Sequence, residues 1–224
     1  MARLRRRSTL WLLVLSQVAL SGGLATCVAL APGVVLAANE GGVSNYGVRG
    51  ATVVPYTLAF ASCALFLWLA ARAVPPALPA RGRLAAGMEA TAAAFAVVLA
   101  STYPYKLDRA LDDLHLALAV LLFLIQLVFV TWLTLTAHPR WPQAAFWLLW
   151  SVGFVLGGTT IAGAVHLLFV AQAMMTIGFA LVTVTVVARL LRQRQDGGED
   201  RRPAQWRNGR RVPGGAVAPP VGAP

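Results

Sequence analysis

"LDDLHLALAVLLFLIQLVFVTWLTLTA", residues 111–137, is the stretch that decides the fold. From Leu114 to Ala137 it contains no Asp, Glu, Lys or Arg. A helix needs about 20 apolar residues to cross a hydrocarbon core about 30 Å thick, and this run is longer than that. Polar and apolar residues do not alternate along it, as they would in a barrel strand. Five further runs read the same way: Leu10–Ala37, Thr52–Ala73, Leu84–Thr102, Ala144–Ala162 and Ala164–Leu190. With 58% hydrophobic and 12% charged residues, the composition does not suit a water-soluble globule. The sequence predicts an all-α polytopic membrane helical bundle of six transmembrane helices.

The first span follows a basic "MARLRRR" start and ends near the small residues of "VVLAAN", as a cleaved signal peptide would. Its apolar run is about twice the length of a signal-peptide core, so it reads as an uncleaved first helix. Sixteen of the nineteen basic residues fall on one side of the predicted spans. They are Arg3, Arg5, Arg6 and Arg7; Arg72, Arg81 and Arg83; Arg140; and eight arginines between 189 and 211. Only Arg49, Lys106 and Arg109 fall on the other side. Basic loops stay inside, so both termini are expected in the cytoplasm of a cell with this protein in its plasma membrane. The net charge of +11 is thereby a topology signal, and no nucleic-acid partner is needed to explain it.

These boundaries divide the chain into a basic N-terminus (1–9), a transmembrane domain (10–192) and a tail (193–224). The tail is rich in Arg, Gly and Pro and has almost nothing to bury, which predicts disorder. Cys27 and Cys63 read as buried apolar thiols, since no CxxC is present. The third span carries small residues at Ala86, Ala90 and Ala94 and again at Gly87 and Thr91, a pattern that lets helix backbones approach in lipid. Gln17, Gln126 and Gln172 are lone amides expected to bond across helices. Glu89 is an intramembrane carboxylate, read either as a functional group or as the ion-pair partner of Arg83 or Arg72.

The polar residues crowd into "STYPYKLDRALDDLHLAL", residues 101–118, which holds the only lysine and three of the eight acids. If the segment is helical, Asp108, Asp112 and His115 lie within about 60° of one another on one face. Glu40, Ser44 and Asn45 of the first outward loop and His166 of the last span can join that face. Such a set could recognise a ligand. It could also hold a divalent metal through Asp108, Asp112, His115 and His166. The plainer reading makes Asp108 or Asp112 the cap of the fourth span's helix. No HExxH, GxSxG or paired CxxC occurs, so no catalytic residue is assigned and no cofactor is predicted.

Val43-Ser44-Asn45-Tyr46-Gly47 in the first outward loop, with His115, Ala119 and Phe123 at the start of the fourth span, carry a family likeness. Over roughly residues 8–192 the chain resembles the damage-regulated autophagy modulator family, and still more its bacterial six-span relatives. That resemblance implies a membrane protein with eukaryotic relatives linked to lipid organisation or autophagy, and no established reaction. The expected function is recognition of a lipid head group, a small ligand or a protein partner through loops 39–50 and 101–115, with membrane lipids as standing partners. Two alternatives stand beside it. One is a metal-dependent lipid hydrolase, similar in residue types to the alkaline ceramidases but without their paired HxxxH. The other is a small transporter, for which internal repeats and midplane charges are the usual signs.

Overall fold

The computed structural model describes residues 2–199 except Pro79, Tyr105 and 137–140. Among the described residues every regular element is helical. The helices are α1 (Ala2–Leu30), α2 (Val34–Gly41), a 3-10 helix (Val43–Val48), α3 (Gly50–Ala73), α4 (Arg81–Thr102), α5 (Arg109–Thr136), α6 (Trp141–Ile161) and α7 (Leu168–Glu199). Six of them, all but α2 and the 3-10 helix, are long and apolar enough to cross a membrane. Arg140 and the tail from 200 onward lie outside the described residues.

Several helix boundaries differ from the sequence reading, and α1 already begins at Ala2, within the basic N-terminus. The first span ends at Leu30, seven residues early, because Pro32 has no N–H to continue the helix. The chain turns at Pro32-Gly33 and starts again as α2, where Val34 N–H donates to Ala31 O at 3.0 Å. At the other end α7 starts at Leu168, not Ala164, and runs to Glu199, so residues 193–199 are helical where the sequence places the start of the tail.

The bundle packs as apolar helices in lipid must, through small residues that admit close backbones. A Cβ on Gly178 of α7 would lie 2.8 Å from the backbone N of Trp150 on α6. A Cβ on Gly87 of α4 would run into the Phe129 ring of α5. The small-residue pattern on α4 is used in part: Gly87 packs on α5 and Thr91 and Ala94 are buried, whereas Ala86 and Ala90 are exposed. Cys27 and Cys63 are buried free thiols.

Glu89 sits near the start of α4 and pairs with Arg72 of α3 at 3.3 Å, with both side chains partly exposed. The Arg72 guanidinium also lies 5.1 Å from the Trp68 ring centroid. An exposed ion pair contributes at most about 1 kcal/mol. Glu89→Gln should accordingly move the unfolding midpoint in detergent by less than a degree or two, about 0.5 kcal/mol or less. A large loss of stability would mean that the carboxylate does more than pair with Arg72.

Candidate functional site

The site is assembled at the end of the bundle where the α1–α3 connection meets the α4–α5 turn. Gly42 ends α2 in the left-handed region, with φ +78°, where a side chain would be strained. Its turn aims the next N–H, that of Val43, at the Gln172 side chain of α7, which accepts at 2.8 Å. The 3-10 helix is thereby pinned to α7 at its first residue. It is pinned to α3 at its last turn, where the Thr52 hydroxyl donates to Tyr46 O at 2.6 Å. Tyr46 is fully buried beside Phe169, and burial pushes its phenol above the ordinary value, so it stays neutral.

Two polar links cross the site. Lys106 donates to Asn45 Oδ1 at 3.0 Å, and the Asn45 amide nitrogen donates to the carbonyls of Ala37 and Gly42, each at 3.2 Å. Deeper in, His115 of α5 sits between two hydroxyls. Its Nε2 is 2.7 Å from Ser44 Oγ on the 3-10 helix, and its Nδ1 is 2.8 Å from Ser101 Oγ on α4. One imidazole thus joins three elements, and at 7% exposure it does so out of water. Asp108 caps α5: its Oδ1 accepts the Leu111 N–H at 2.9 Å. Asp108→Ala should cost about 1 kcal/mol of stability, and Asp108→Asn or Asp108→Ser should recover most of it, read as unfolding midpoints.

Around these links opens a polar vestibule of about 910 Å³. Six of the seven residues singled out from sequence line it: Glu40, Ser44, Asn45, Asp108, Asp112 and His115. Arg49, Lys106 and Arg109 line it too, so three cations face three anions, with Gln172 at the inner end. His166 is the exception. It lies exposed in the α6–α7 connection, since α7 begins two residues later, and it does not line the vestibule. Without it the suggested metal set is incomplete. Among the described residues no three His, Cys, Asp or Glu side chains come together as metal ligands.

Sequence reasoning missed Ser101, which lies near the end of the third span and has no charged neighbour to mark it. The available signal was its place in the same crowded stretch, fourteen residues before His115. Gln172 was read correctly as an amide that bonds across elements, though not as a wall of the site. The fold and the site together define a six-span, all-helical membrane protein with a polar vestibule at one end of its bundle. No family model, curated protein or solved structure matches this chain.

Proposed function

We propose that this protein is an integral membrane binding protein, without an assigned reaction, whose vestibule opens on the outward side of the plasma membrane. There it takes up a lipid head group or a small polar ligand of similar charge pattern. The observation that carries this reading is the vestibule itself. It is a charged cavity of about 910 Å³ whose base is held rigid by the Ser44–His115–Ser101 bonds. A site held in place by its own packing loses less entropy when a ligand binds. The outward orientation rests on the bias of basic residues toward the opposite side. The two short elements behind the resemblance to the autophagy modulator family, Val43–Gly47 and His115, also meet here through Ser44.

The alternatives have less behind them. A metal-dependent hydrolase needs a ligand set that the described residues do not bring together. Transporters usually carry charge near the membrane midplane, whereas Glu89 lies near the start of α4, half-exposed and paired with Arg72.

The test is titration of the nanodisc-embedded protein with soluble head groups: glycerophosphocholine, glycerophosphoglycerol and choline, followed by calorimetry. At least one should bind, and Asp112→Asn or Arg49→Gln should weaken it on the order of tenfold, the loss of one charge-assisted hydrogen bond. Heat signals that are absent for all three, or identical in both variants, would overturn the reading.

A further inference from the structure

A second cavity of about 210 Å³ adjoins the vestibule, and Ser44, Ala119 and Gln172 line both. Beyond these shared residues the wall is mainly apolar, with Ser21, Thr176 and Gln126 as its polar members. On α5 the lining runs from Ala119 to Gln126, a rise of about 10 Å at 1.5 Å per residue. It goes no further than Leu20 on α1 and Ile177 on α7. With a hydrocarbon core about 30 Å thick, the chamber spans about one leaflet.

Its size and lining select the occupant. An apolar protein cavity of about 150 Å³ already stays dry and takes benzene, so this larger one favours hydrocarbon over water. Its length of about 10 Å along α5 suits one medium-length chain lying beside that helix. One of the chamber's polar side chains is left unsatisfied. Gln126, 2% exposed, lines its deep end, and its Oε1 is buried without a hydrogen-bond partner. A buried amide is costly until it is bonded, so the chain that fits best carries a hydroxyl toward its far end. The chamber also has a way in from the lipid: Ile177, 49% exposed, and exposed Ala25 both line it, on α7 and α1.

We infer that the chamber and vestibule together are the site of a single-chain zwitterionic amphiphile of medium length with a hydroxylated chain, drawn from the outward leaflet. Its head lies among the three cations and three anions of the vestibule, the chain passes Ala119, and the hydroxyl donates to Gln126. This inference rests on the proposed head-group site and adds the tail, its length and its polarity.

The experiment compares glycerophosphocholine, decanoyl-lysophosphatidylcholine, its chain-end hydroxylated counterpart and a two-chain phosphatidylcholine, each titrated into protein in nanodiscs. Titrated as the aqueous monomer, with uptake by empty nanodiscs subtracted, the single-chain probe should bind on the order of a hundredfold more tightly than the bare head group, since several methylenes leave water. The hydroxylated probe should bind more tightly again. Ala173→Phe, which fills the chamber wall, should remove the gain from the chain and leave head-group binding as it was. Gln126→Leu should abolish the preference for the hydroxylated chain while still binding the plain one, which separates lost recognition from lost folding. If the head group binds and the chain adds nothing, the tail site is wrong and the vestibule stands. If the two-chain lipid binds as well as the single-chain probe, the single-chain assignment is wrong. If none of the probes binds, both readings fall.

Discussion

Gly178→Ala should be among the most damaging single substitutions in the chain, lowering stability by about 3 kcal/mol. The new methyl would lie 2.7 Å from Trp150 Cβ, 2.8 Å from its N and 2.9 Å from its Cα. Two of those atoms are backbone, so no rotamer change relieves the contact and α6 must move away from α7. Trp150 is fully buried and stacks on Phe154 at 5.4 Å, so moving α6 disturbs a packed aromatic pair as well. Gly158→Ala is the matched control. It lies on the same helix as Trp150, and a Cβ there meets nothing within 4 Å. Removing the backbone freedom of a helical glycine should make that control neutral or more stable by about 0.5 kcal/mol. Unfolding midpoints in one detergent compare the pair, and equal midpoints would show that α6 and α7 do not pack through Gly178.

The second large effect is expected at His115. Hydrogen bonds between membrane helices average about 0.6 kcal/mol, so losing two of them would cost about 1 kcal/mol. The actual cost should be higher, about 2 kcal/mol, because Ser44 is buried and its hydroxyl would be left without that partner. His115→Phe tests this most directly, since it keeps the ring's bulk and removes both nitrogens. Beyond stability, it should free the 3-10 helix from α4 and α5 and weaken head-group binding at the vestibule. His115→Phe with wild-type stability would mean that packing alone positions the 3-10 helix and the two serine bonds contribute nothing.

Span number and type were legible because they depend on summed hydrophobicity, which is local in sequence. Helix ends were less so. The residues of 31–37 are as apolar as those before them, and only Pro32 marks the break. The site was legible in its charged members because acids and bases are rare in this chain and therefore conspicuous. Of its neutral members, Ser44 and Asn45 were read from the outward loop, but Ser101 was not. Ser101 is one of many hydroxyls in spans, most of which bond back to their own helix, as Thr91 does to Gly87 O at 2.8 Å. Nothing local marks it as the one that reaches a histidine on the next helix. His166 failed for a related reason: the apolar run from Ala164 placed it on the last helix, but that helix begins only at Leu168. The apolar chamber could not have been read at all, since a cavity is defined by what the helices leave between them.

The Gln172–Val43 bond also bears on how the protein is made. Val43 belongs to the first connection to emerge from the ribosome, yet the side chain that accepts its N–H sits on the last span. His115, which holds Ser44, arrives with the fourth of the six spans. A nascent chain with three spans inserted therefore has Thr52 to hold the loop at Tyr46 but neither His115 nor Gln172. The loop gains its anchor at Val43 only when α7 packs against it, so the vestibule proposed as the head-group site is completed by the sixth span.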